Sequence, residues 1–175
     1  MRNQLIPLIA SAVSVLLQIV VAPILTLFSI VPNFIVAFAM VLAILRPSDS
    51  TYLYMFVLGL VADLLAQTPV GLSSLLLLVA AFVLRHAFEV LDASTPVMPL
   101  ISLGAGLLAF ELLFAIVLLI IGYNGSVVDL LLFRALPSAL FAALIGALFY
   151  LIMRRFPMAQ PVNDAWRVTE NIRFR

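Results

Sequence analysis

Between Val97 and Ile121 the chain offers a single charged side chain, Glu111, and between Leu130 and Met153 again only one, Arg134. Runs of this length and polarity fit the hydrocarbon core of a bilayer, which is about 30 Å thick and takes roughly 20 residues of helix. The composition agrees: 66% of the 175 residues are apolar and 10% are charged, against about 45–50% and about 25% in soluble domains. A water-soluble globule could not cover such a surface with polar atoms. Disorder is equally excluded, because there is too much apolar material left to bury. The expected class is all-α: a polytopic transmembrane bundle of about six helices.

Proline, glycine and charge divide the chain into six apolar stretches: Leu5–Phe28, the segment after Pro32-Asn33 as far as Leu45, Tyr52–Ala66, Leu72–Val90, Val97–Ile121 and Leu130–Met153. Segments two and three are short, covering about 20 Å each at 1.5 Å per residue. Two arrangements suit them, a pair of short crossing helices or a re-entrant hairpin screened by its neighbours; the crossing pair is the preferred reading. Val20-Val21-Ala22 has the small residues of a signal-peptide cleavage site. Pro23 would follow the cut, however, and the apolar stretch continues, so a retained first helix is expected.

All nine basic residues are arginine. With six spans, eight of them (Arg2, Arg46, Arg85, Arg154, Arg155, Arg167, Arg173 and Arg175) fall on one side and only Arg134 on the other. The positive-inside rule then puts both termini in the cytoplasm. Residues 1–153 form the bundle and residues 154–175 a juxtamembrane tail, in which Arg154-Arg155 anchor to the inner leaflet and a short surface helix begins near Asn163.

The ingredients of familiar chemistry are missing. There is no cysteine and one histidine, His86, which excludes thiolate chemistry and multi-histidine metal sites. Repeated acidic residues for divalent metals are absent as well. Gly71-Leu72-Ser73-Ser74 lacks the second glycine of intramembrane serine proteases. No basic patch suits nucleic acid. Neither a cofactor nor catalysis is expected.

Small and polar residues inside the spans carry the remaining information. Ala139, Ala143 and Ala147 are spaced four apart, and so are Ser102 and Gly106. Small residues let helices approach closely in lipid, either within the bundle or as a groove for a partner's helix. Charges within a bilayer need partners. Asp63 and Arg134 each lie about one turn inside the outer boundary, so an ion pair between them is expected. Glu111 lies near mid-membrane, and Ser11, Ser14 and Gln18, on one face of helix one, are its candidate partners.

The most specific stretch is Pro32–Val83. Pro32-Asn33-Phe34 opens helix two, Gly59-Leu60-Val61-Ala62-Asp63 lies on helix three, and Pro69-Val70-Gly71 turns into helix four. Gly59 permits close backbone approach, Asp63 needs a polar partner, and Pro69 with Gly71 makes a tight turn: together a rigid corner. This pattern resembles the rod shape-determining protein MreD family. The family often has a further glycine one turn before Gly59, where this chain has Met55 and Phe56. The resemblance implies a non-enzymatic membrane scaffold of the bacterial elongation machinery. It would bind the single transmembrane helix of MreC and connect indirectly to MreB, RodA and a class B penicillin-binding protein in peptidoglycan synthesis. Six short-looped helices are also similar to the substrate-binding subunits of energy-coupling-factor vitamin transporters. That reading needs convergent polar groups at the outer face, and Asn33, Gln67, Thr68, Tyr123, Asn124 and Asp129 supply few.

Overall fold

The computed structural model describes residues 2–25, 31–66, 68–90, 97–122 and 129–155. The loop triplet Asn124-Gly125-Ser126 and the tail helix expected from Asn163 lie outside them. Within the described residues there are six α-helices and no strand: α1 (Arg2–Val20), α2 (Phe34–Leu45), α3 (Asp49–Ala66), α4 (Leu72–Val90), α5 (Met98–Ile121) and α6 (Leu136–Met153). A π-helical segment, Asp129–Ala135, leads into α6.

Four of the six stretches fold much as their boundaries predict, and two differ for local reasons. The first helix ends at Val20 and gives way to a turn over Val21–Leu25, where Pro23 has no N–H to continue the ladder. The third begins at Asp49 rather than Tyr52. Its polar first turn is not part of the apolar count, yet Thr51 N–H already reaches the Ser48 carbonyl. At 18 residues, α3 is about 27 Å long, so it is not one of two short helices.

The short helix is α2 alone, at 12 residues or about 18 Å. It forms the axis of the molecule, packed by α1, α3, α4, α5 and α6. Every α2 residue except Ala43 is buried. Phe34 and Phe38, at its start, meet Phe149 of α6 edge to face at centroid distances of 6.4 and 5.6 Å. Phe149 lies about one turn from the end of α6. The start of α2 therefore lies beside the last turns of α6, and its first turn is buried inside the protein.

A helix that starts inside apolar surroundings has N–H groups that water cannot reach. Two side chains satisfy them here. Asn33 accepts from Val36 N–H at 3.0 Å, and Gln18 of α1 accepts from Phe34 N–H at 2.7 Å. Around this axis the outer faces are apolar: Leu140, Leu144 and Leu148 of α6 are all at least 60% exposed. That exposure is intolerable in water and ordinary in lipid. Among the described residues, two helical runs are long and apolar enough to cross a membrane, Met98–Ile121 and Leu130–Met153.

Candidate functional site

Two polar contacts among the described residues bear most on the expected site, the corner between α3 and α4 and the contact between α5 and α6. At the corner, Asp63 is wholly buried. One carboxylate oxygen accepts from Thr68 Oγ1 at 3.1 Å and the other from Gly71 N–H at 2.8 Å. Both accept from Ser73 N–H at 3.1 Å. Asp63 thus acts as an N-terminal cap supplied to α4 by the preceding helix. A negative charge at that position meets both the orphan donors and the positive end of the helix dipole.

The residues around it set this geometry. Gly71 takes φ +95°, a left-handed conformation that glycine adopts freely. Leu72 N–H closes the turn on the Pro69 carbonyl at 3.2 Å. One turn before Asp63, Gly59 lies directly against the backbone of Ser73 and Ser74, where any Cβ would collide. Ser74 Oγ donates to the Phe56 carbonyl at 3.0 Å. Backbone contact, a side-chain cap and a left-handed turn lock the two helices at one angle.

This corrects the expectation for Asp63. Its partners are the backbone and hydroxyl of its own corner, and among the described residues it forms no ion pair with Arg134. A similar expected depth does not make the two partners: Asp63 belongs to the α3–α4 corner, whereas Arg134 lies in the π-helical segment, which packs against α5 and α6. The signal that could have found the true partners is Thr68-Pro69-Val70-Gly71-Leu72-Ser73 itself, a turn delivering free N–H groups close after an acid.

The second polar contact joins α5 to α6. Ser138 Oγ donates to Glu111 Oε1 at 2.8 Å. Arg134, one turn earlier and exposed, stands within electrostatic reach of the same carboxyl. The expected partners on α1 are otherwise engaged: Ser11 Oγ bonds the Pro7 carbonyl at 2.7 Å, Ser14 Oγ the Ser11 carbonyl at 2.8 Å, and Gln18 caps α2. Short hydroxyl side chains readily turn back on their own helix. Arg134 lies in the last turn of the π-helical segment, three residues before Pro137. Pro137 cannot donate to the carbonyl four residues back, and a wider turn accommodates that gap.

The small residues differ in burial. Ala139, Ala142, Gly146 and Tyr150 are the buried positions of α6, while Ala143 and Ala147 lie half-buried beside them. A Cβ at Gly146 would press on Leu103 and Leu107 of α5, at 3.2 and 3.3 Å. Ser102 is buried, and Gly106 faces Leu84 of α4 and Met40 of α2 at ordinary contact distance. Among the described residues no three acidic or histidine side chains gather where they could hold a metal ion.

Comparison with known proteins bears on the same region. No curated protein and no solved structure matches the chain, so the expected likeness in fold to vitamin-transporter subunits is without support. The family model of the rod shape-determining protein MreD matches residues 2–159, a stretch that contains the entire bundle and both polar contacts. The chain belongs to the MreD family.

Proposed function

We propose that this protein is a non-catalytic scaffold of the bacterial cell-elongation machinery, which holds the transmembrane helix of MreC within the inner membrane. Family membership gives the coarse role, rod shape determination in a membrane. The observation that carries the finer reading is the state of Asp63. This acid is wholly buried, and three donors of its own corner occupy it. A carboxylate so engaged builds shape and has no room to bind or activate a substrate. The product of this fold is a rigid surface.

In this reading all six helices belong to one membrane-embedded bundle, residues 1–153, with both termini and the tail 154–175 in the cytoplasm. Arg46, Arg85, Arg154 and Arg155 then meet the inner leaflet, as the positive-inside rule requires. The half-buried alanines Ala143 and Ala147 of α6, and Ser102 and Gly106 of α5, belong to the packing that fixes the surface offered to MreC. Through MreC the bundle connects to MreB, RodA and a class B penicillin-binding protein.

Co-purification from bacterial membranes tests the proposal. The chain should recover MreC from detergent extracts at a fixed ratio. Recovery of a small-molecule vitamin without MreC would overturn it.

A further inference from the structure

Asp63 and Glu111 are satisfied to different degrees. Asp63 is wholly buried, and both of its carboxylate oxygens accept hydrogen bonds. Glu111, near the middle of the 24-residue α5, is only half-buried. Its Oε1 accepts from Ser138 Oγ at 2.8 Å, and among the described residues its Oε2 has no hydrogen-bond partner. Acyl chains supply no donor at that depth, and an ionisable group left partly unpaired within a bilayer marks a functional contact. Gly104 and Leu108 share a helix face with Glu111 by their spacing. A Cβ at Gly104 would have nothing within 4 Å, and Leu108 is exposed. The α5 backbone is therefore open to close approach at Gly104, about 10 Å along the helix from the carboxyl.

We propose that this face of α5 receives a partner's transmembrane helix, which packs its backbone on Gly104 and presents a neutral hydroxyl or amide donor to the open oxygen of Glu111. The inference rests on the scaffold reading above and names the face on which the MreC helix docks. Charge chooses the occupant. Arg134 stands within electrostatic reach of the carboxyl, so a second cation is opposed there and a neutral donor is matched. A second copy of this chain fits poorly. A two-fold contact sets the same patch against itself, which brings two Glu111 carboxyls together, and neighbouring carboxylates oppose each other's ionisation.

Co-purification with MreC and disulfide cross-linking in membranes test this on the full chain, which contains no cysteine of its own. Gly104→Leu fills open space, so it should leave the melting temperature unchanged while lowering MreC recovery about tenfold, the scale of an overpacked contact. Glu111→Ala should lower recovery about threefold, the scale of one interhelical hydrogen bond in a membrane. Leu108→Cys should link to an MreC that carries one cysteine in its transmembrane segment. Val79→Cys, on the exposed side of α4, should not. Failure of the unmodified chain to recover MreC would overturn the scaffold reading and this occupant with it. If the unmodified chain recovers MreC, undiminished recovery in both variants, or equal linkage from Leu108→Cys and Val79→Cys, would overturn the docking face alone. Linkage of Leu108→Cys to a second copy of the chain in place of MreC would overturn the choice of occupant.

Discussion

Asp63 receives the backbone N–H of Ser73 on both carboxylate oxygens, at 3.1 Å each, across ten residues of sequence. The acid most easily taken for a functional charge is therefore a structural cap. Its substitution should report on folding first. Asp63→Ala leaves the buried N–H of Ser73 and the half-buried N–H of Gly71 without an acceptor, at about 1–3 kcal/mol for the buried one. Asp63→Asn keeps one acceptor oxygen and should cost less. Thermal unfolding in detergent, followed by circular dichroism, should rank the variants wild type, Asn, Ala. The double reversal Asp63→Arg with Arg134→Asp should express no better than Asp63→Arg alone, since the two residues are not partners.

Gly59 should tolerate nothing larger. A Cβ there meets the backbone of Ser73 and Ser74, which cannot rotate aside as a side chain can. Gly59→Ala is expected to cost about 1–3 kcal/mol by overpacking. Gly104, which has open space around its Cβ position, supplies the control: Gly104→Ala should be neutral or mildly stabilising through helix propensity. Comparing the two melting temperatures checks the claim.

The cap that Gln18 gives α2 leads to a charge-independent prediction. Gln18→Leu strands the Phe34 N–H inside the bundle, where the loss of its acceptor costs about 1–3 kcal/mol. Because α2 is the axis of the packing, hydrogen exchange should accelerate across α2 rather than in α1. Gln18→Glu, which keeps an acceptor, should restore most of the protection.

The class of the molecule and the rigid nature of its corner are legible in the sequence because both are matters of local chemistry. Apolar run length reports a membrane. Glycine, acid, proline and glycine over thirteen residues, Gly59 to Gly71, report a turn. Which side of the bundle a residue faces is another matter. Hydropathy gives depth along a helix, and depth made Asp63 and Arg134 look like partners. Helix α2 shows the same gap: its 12 residues announce a short segment, but nothing local shows that it lies at the centre, with its first turn inside the protein. The π-helical segment was within reach, since Pro137 follows Arg134 in an otherwise uninterrupted helix.

Glu111 and Ser138 join α5 to α6 at 2.8 Å, and a double-mutant cycle can weigh the contact. Interhelical hydrogen bonds in membranes are worth about 0.6 kcal/mol on average and up to about 1.7. The Glu111→Gln and Ser138→Ala pair should show coupling within that range. Pairing Glu111→Gln with Ser11→Ala should show none, because Ser11 bonds its own helix.

If the bundle works by holding the helix of MreC in the membrane, exchanging that helix should end their association. MreC is expressed with its transmembrane segment replaced by an unrelated leucine-rich helix and its periplasmic region unchanged, and its recovery with this chain is measured. Recovery should fall to background, while the native helix alone, fused to an unrelated soluble domain, should be retained. Undiminished recovery of the exchanged MreC would contradict it.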